Sequence, residues 1–307
     1  MDYKIIVDGV SVGDNITIVD DVLYAYDRAG AMADNVKLIV DNASSFQIAK
    51  GQHMTVKFNG YTTGEMVVDK VEAGTRNAVV GAISTTAGAK KKRSRHYRKV
   101  RFFDIINDVA TDTGFSVFYQ GGVENRLYEN VTRWCETPLA FLNRLCVREG
   151  YGLKIDDQRI IIYCKESAEA AEPVLTITQA DLVSGHVAFR DAASMTQAVT
   201  VRYFDLNAGR NIEFTAQIPD DGEQLTVVEY VQDAAEAERF AKNYLNEKNK
   251  MSTTATALIP INTDIAATSV IKFDGFGRYD GNYFIEELAH CPLTEQTKIT
   301  ARKIKGV

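Results

Sequence analysis

The chain has 307 residues, of which 45% are hydrophobic, with 35 Lys and Arg set against 41 Asp and Glu for a formal net charge of −6. That length exceeds a single core of the usual ~100–150 residues and points to two or three domains. The acidic balance excludes a dedicated nucleic-acid binder, whose affinity would come from phosphate neutralisation by Lys and Arg.

Residues 1–88 read as β. Strands are predicted around Ile5–Val7, Ile16–Val19, Val36–Val40, Thr55–Phe58, Glu65–Val71 and Ala78–Ile83. Turn residues separate them, among them Asp8-Gly9, Gly13-Asp14-Asn15, Asn59-Gly60 and Gly74. Val36–Val40 and Val56–Phe58 alternate with period two, as half-buried strands do. Short strands at this spacing suggest a small antiparallel barrel or sandwich.

Character changes at Ala87, where AGAKKKRSRHYRKVR begins. A helical stripe follows in Val100, Phe103, Ile106 and Ala110, stopped by Gly114. After a strand at Phe115–Tyr119, Thr137-Pro138 opens a second helix as N-cap and first helical residue, and Gly150 ends it. Tyr151–Ile155 and Arg159–Tyr163 read as a hairpin across Asp156-Asp157-Gln158. Residues 89–168 are thus predicted to form a compact α+β unit, with KESAEAAE (165–172) as the connector. From 173 to 307 β character returns, interrupted by one helix at about 233–249 that Asp233 caps.

Candidate chemistry is thin. The basic residues Lys90, Lys91, Lys92, Arg93, Arg95, Arg98, Lys99 and Arg101 are the strongest local signal, read as a possible interaction loop for a phosphorylated or nucleic-acid partner. Against that stands a solvated loop or strand edge, where Lys and Arg discourage unwanted pairing. Tyr97 is the single aromatic in the run, too few for a base-stacking platform. His290 and Cys291 are adjacent, but neighbours in a strand face opposite sides, so no nucleophile–base pair forms. His53, His96 and His186 show no metal spacing. Asp20-Asp21, Asp156-Asp157 and Asp220-Asp221 read as turn or strand-end residues rather than paired catalytic carboxylates. Trp134, before the second helix, is a packing contact or an interface anchor. No catalytic residue, cofactor or metal site is expected.

Cys135, Cys146, Cys164 and Cys291 form no C-x-x-C pair and read as reduced thiols of a cytosolic assembly compartment. MDYKIIVDGV carries no secretory signal, and no run reaches the ~18–20 apolar residues of a membrane span. A soluble product without membrane insertion is expected.

Four stretches, in order, resemble the late control D family, the baseplate hub proteins of contractile phage tails and related bacteriocin-like particles. They are GQHMTVKFNGYTTGEMVVDKVEAG (51–74), KKRSRHYRKVRFFDIINDVATDTGF (91–115), ENVTRWCETPLAFLNRLCVREGYGLKIDDQRIIIY (129–163) and DGNYFIEELAHCPL (280–293). The third is the most specific. The resemblance implies a β-rich α+β chain with two tube-like antiparallel β-barrel domains, 1–88 and 173–307, and a small α+β domain, 89–168, between them. It implies a homotrimer forming a pseudo-sixfold ring that joins a hexameric tail tube to a trimeric central spike. Other baseplate and tape-measure proteins would be partners, without stable nucleic-acid binding, in a particle assembled in the bacterial cytoplasm. The sequence ends at Val307 with no lysozyme-like or needle extension, so wall-cutting or piercing activity is expected in another protein. The competing readings are a carbohydrate-binding adhesin, which needs exposed aromatics on one sheet face, and a peptidoglycan hydrolase, which needs acid/base or metal groups that the sequence does not gather.

Overall fold

The computed structural model describes residues 2–30, 32–41, 48–86 and 88–304. Ala87, from which the basic run was counted, lies outside them. The first part contributes β1 (Tyr3–Val7), β2 (Val10–Ser11), β3 (Ile18–Arg28), β4 (Asn35–Asp41), β5 (His53–Phe58), β6 (Tyr61–Thr62), β7 (Met66–Ala73) and β8 (Asn77–Ile83). The middle holds β9 (Arg93–Arg101), α1 (Phe102–Thr113), β10 (Ser116–Gln120), β11 (Leu127–Glu136), α2 (Pro138–Glu149), β12 (Tyr151–Asp156), β13 (Arg159–Cys164) and α3 (Lys165–Glu169). The last part has β14 (Leu175–Ile177), β15 (Val187–Asp191), β16 (Met195–Asp205), β17 (Arg210–Gln217), β18 (Gly222–Val228), α4 (Ala234–Asn249), β19 (Thr253–Pro260), β20 (Val270–Phe273), β21 (Gly281–Cys291) and β22 (Gln296–Lys303). The chain is β-rich α+β, as expected.

Alternation works as the sequence implies. In β4, Val36, Leu38 and Val40 are fully buried between half-exposed neighbours, and Met54, Val56 and Phe58 do the same in β5. In α1 the buried stripe is Phe102, Ile105, Ile106, Val109 and Ala110, and Gly114 closes the helix at φ 76°. Thr137 accepts the Ala140 amide to start α2, and Gly150 stops it at φ 79°. Asp233 caps α4 by accepting the Glu236 amide at 2.8 Å. The β12–β13 hairpin turns on Asp157 and Gln158, both at positive φ, as a two-residue primed turn requires.

Three features depart from expectation. First, the two β-rich parts do not separate: β3 pairs with β21, so that 14 strands share one ladder running from β15 through β22, β21, β3 and β4 to β1 and β2. Among the described residues that ladder is open, and no closed barrel is formed. Second, β16, β17 and β18 leave it, forming their own mixed sheet covered by α4, with a core of Val199, Val201, Ala216, Phe240 and Ala241. The wholly antiparallel second barrel expected over 173–307 is thus replaced by parts of two sheets. The strand pattern looks alike in both, so periodicity cannot tell which sheet a strand joins. Third, Asp20 and Asp21 are not at a turn. Both sit mid-strand in β3 at φ 56° and 54°, where the register to β4 shifts, which makes them a β-bulge. Their turn-like composition hid the strand's continuation to Arg28.

Candidate interaction surface and the seams behind it

The basic run is a strand rather than a loop. Residues 88–90 form one 3-10 turn, and β9 then pairs antiparallel with β11 as an isolated two-stranded ribbon. Alternation splits the cations between two faces. The inward face turns to α1: Arg93 reaches Asp112 at 2.5 Å, Arg95 is paired with Asp108, and the Tyr97 hydroxyl donates to Asp108 at 2.6 Å. Tyr97 also stacks on Phe141 of α2, with centroids 5.9 Å apart. Burial, and then the Asp108 carboxylate, push the Tyr97 hydroxyl above its usual range. Arg133 from β11, only 1% exposed, ties the ribbon's end to the Glu136 and Lys91 carbonyls. A signal for this half was present in the sequence. Asp108 and Asp112 stand one helical turn apart, roughly 6 Å, and Arg95 and Arg93 two strand positions apart, roughly 7 Å.

The outward face is different. It carries Ser94, His96 and Arg98 from β9, and Asn130, Thr132 and Trp134 from β11. His96 is hydrogen-bonded to Thr132 at 2.8 Å, and Arg98 donates to His96 at 3.3 Å. Trp134 is 73% exposed, so it does not pack at the start of α2. Arg101 donates to the Asn125 carbonyl at 3.1 Å, and Lys90 lies 3.4 Å from Asp69. Among the described residues, Lys91, Lys92 and Lys99 are exposed without an acidic partner.

Behind this surface the parts are joined by two kinds of seam. The β3–β21 seam sets Leu288 opposite Asp27, Ala289 opposite Tyr26 and His290 opposite Ala25. His290 is fully buried against Phe58 and Tyr61, with its Nδ1 at 2.9 Å from the Thr297 hydroxyl. Burial pushes the imidazole down to about 4. Cys291 points its thiol at the Asp21 carbonyl, 3.5 Å away. Beside it, Lys154 of β12 is paired with Asp27 and lies 3.6 Å from Asp34. Asp27 also accepts the Ala267 amide at 2.8 Å, so three parts of the chain meet at one carboxylate. Burial pushes the Asp34 carboxyl up to about 8 against the pull of Lys154, with Asp27 adding to the rise.

The second seam is ionic and joins α2 to α4. Arg148 of α2, 4% exposed, reaches Glu229 at 2.8 Å and lies over the rings of Tyr128 and Phe240. Glu149, with a fully buried carboxylate, accepts from the Tyr128 hydroxyl at 2.8 Å and from Arg239 of α4 at 2.9 Å. Sequence reading missed this cluster, because its members are spread over a hundred positions and none forms a local motif.

No group of three or more His, Cys, Asp or Glu side chains able to hold a metal is present among the described residues. Among the same residues, no helix is long and apolar enough to cross a membrane. A cleft of about 280 Å³ beside α3 is lined by Gln120, Tyr163, Cys164, Ser167, Glu172 and Val270, among others, with Glu172 as its one carboxylate. That set offers no acid–base pair facing a substrate.

The sequence profile of the phage tail baseplate hub (GPD) family matches residues 31–291, and the chain belongs to that family. The family is one of structural tail hub proteins rather than enzymes. Solved structures share the fold. A tail protein from Neisseria meningitidis MC58 superposes with a TM-score of 0.75 at 13% identity, over 99% of this chain and 97% of that one. The 43 kDa tail protein of prophage MuSo2 from Shewanella oneidensis gives 0.73 at 14%, covering 98% of each. A type VI secretion component of Escherichia coli gives 0.56 at 14%, over 99% of this chain and 77% of that one. No curated protein matches the chain by sequence.

Proposed function

We propose that three copies of this hub protein close into a ring in which the two β-rich parts of each copy serve as similar tube-like units, six in all. One face of such a ring suits a sixfold tail tube, while the whole keeps the threefold symmetry of a central spike. The division into 1–88, 89–168 and 173–307 belongs to this reading, with the first and last as the tube units. The observation that carries it is the single ladder through β3 and β21, which leaves the outer edges of β15 at one end and β2 at the other unpaired among the described residues. Free edges invite pairing with another chain, and each copy has one at either end of its ladder. The tail tube, the spike, and other baseplate and tape-measure proteins are the partners on this reading. The particle's tail is its place, after assembly in the host cytoplasm.

The net charge of −6 suits a conduit for a polyanion, since a repelling wall keeps DNA from adhering. A strongly positive lumen in the assembled ring would refute that part. The ring itself is tested by the native mass of the purified chain, alone and mixed with its spike protein. A species of three times 34.0 kDa, or that trimer bound to the spike, is expected. A chain that stays monomeric in both samples overturns the reading.

A further inference from the structure

β21 changes partner partway along its length. One edge pairs with β22, while the other pairs with β20 over Gly281–Phe284 and with β3 over Glu287–His290. The ladder therefore forks at Ile285 and Glu286, where the register to β22 also shifts. Each branch donates one amide there, Thr268 to the Ile285 carbonyl and Ala29 to the Glu286 carbonyl. The Asp27 carboxylate spans the fork from β3 to the Ala267 amide.

The β12–β13 hairpin of the middle unit sits against this fork. Lys154 is paired with Asp27, the Tyr163 ring stacks on Phe284 with centroids 6.2 Å apart, and the Asp34 amide donates to the Ile155 carbonyl at 3.1 Å. At the hairpin's tip the Gln158 amide donates to the Ser84 hydroxyl at 3.2 Å, and Asp157 accepts the Glu65 amide at 2.9 Å.

At the centre of this junction the charges do not balance. Lys154, Asp27 and Asp34 are 8%, 6% and 4% exposed, one ammonium among two carboxylates. Lys154 is in closest contact with Asp27 and stands 3.6 Å from Asp34. Among the described residues the neighbouring cations are taken. Arg28 gives Asp34 only its backbone amide, at 2.8 Å, while its guanidinium goes to Glu287 and Asn35. Arg159 of β13 is paired with Asp156 of β12. From β6 and β21 the nearby titratable groups are Tyr61, which burial holds above its usual range, and His290, which burial pushes down to about 4, so both are uncharged at pH 7. A buried carboxylate without a cation of its own keeps its proton. Burial raises the Asp34 carboxyl to about 8 against the pull of Lys154, and Asp27 adds to the rise.

We propose that this proton is a latch: held by Asp34 it keeps the middle unit seated on the fork, and its release lets that unit lift from the ladder together with α4 and the β16–β18 sheet, to which the Arg148–Glu149–Glu229–Arg239 cluster ties it. The latch lies within one copy and is independent of the ring reading. Once the junction opens, Asp34 returns to its ordinary value near 3.8, so opening releases one proton between there and 8. The opening constant therefore rises tenfold per pH unit over that range and levels off above it. His290 takes up a proton on exposure only below pH 6.5, so the window from 6.5 to 8 isolates Asp34.

Amide exchange in the full chain at both ends of that window tests the latch, with Asp34→Asn as the permanently neutral control and each amide compared with itself in the two chains. The reporters are Gln158 and Ala267, bonded to Ser84 and Asp27. From pH 6.5 to 8 the ratio of wild-type to variant opening constants is expected to rise about 30-fold at these two amides and to stay constant in β19 and β22. A carboxyl ¹³C titration of the wild-type chain needs no variant, and Asp34 is expected to titrate near 8. A midpoint near 4 overturns the latch, as does a ratio that ignores pH. A ratio that rises equally in β19 and β22 also overturns it, because Asp34 then acts only on unfolding of the whole chain. Both readouts are the same in a monomer and in a ring, so the failure of either reading leaves the other standing.

Discussion

The two seams differ in what holds them. Between β3 and β21 the chain is joined by a backbone ladder, with fully buried Ile285, Leu288, His290 and Leu23 around it. Between α2 and α4 it is joined by Arg148, Glu149, Glu229 and Arg239. A ladder satisfies its own backbone groups and gains from apolar burial. An ionic cluster gains little net energy over an apolar one, but it penalises any arrangement that leaves one charge buried alone. The first seam therefore makes two regions one sheet, while the second fixes a neighbouring layer in one orientation. That suits a subunit whose outer sheet must present its face at a set angle.

The largest effect is expected in the ionic seam. Arg148→Met leaves Glu229 with the Tyr244 hydroxyl at 2.5 Å but with a cation only at 3.7 Å, in Arg144, and strips the cation from the Tyr128 and Phe240 rings. Breaking a buried pair on one side costs about 3–5 kcal/mol. Chemical denaturation should show that loss, and amide exchange should accelerate first in α4 and β16–β18. Adding Glu229→Gln should recover part of it, because the stranded charge is then gone. Equal losses in the single and double variants would mean that shape rather than charge holds this seam.

In the ladder seam the corresponding probe is pH. His290 titrates near 4 in the folded chain and near 6.5 when unfolded, so between those values the unfolded chain binds more protons. Its contribution is present above pH 6.5 and is lost as pH falls toward 4, to a total of about 3 kcal/mol. Asp34, raised to about 8, acts in the opposite sense: its contribution is complete at low pH and is lost as pH rises through 8. Comparing wild type with His290→Phe between pH 7 and pH 4 isolates the histidine. The variant keeps an aromatic ring against Phe58 and Tyr61, and Thr297 still accepts the Asn262 amide. Its stability should fall less on acidification. Parallel curves would show that His290 is not the titrating group.

The contrast also marks what the sequence revealed. Alternation at Val36, Leu38 and Val40, the Thr137-Pro138 start of α2 and the stop at Gly150 were legible because their causes are local. The pairing of Tyr26 with Ala289 was not, since no local pattern selects a strand's partner across more than 250 positions. The basic run was found but misread as one patch. Strand alternation gives Arg93 and Arg95 to the helix and leaves Arg98 and Trp134 outside, and only the pairing with β11 shows which residue goes where.

The smallest effect sharpens the comparison from the other side. Arg28 and Glu287 are directly opposite in the ladder seam, with Nε at 2.6 Å from the carboxylate, yet both side chains keep a fifth or more of their surface in water. Arg28 also donates to Asn35 at 2.5 Å and lies over the Tyr26 ring, so losing the carboxylate does not strand it. Glu287→Gln is therefore expected to cost at most about 1 kcal/mol. The difference from wild type should shrink further in 0.5 M salt, where the Debye length falls below roughly 5 Å. Urea denaturation at low and high salt measures both. If this exposed pair costs as much as Arg148→Met, burial is not what separates the two seams, and the distinction between a ladder held by apolar contact and a layer oriented by charge fails.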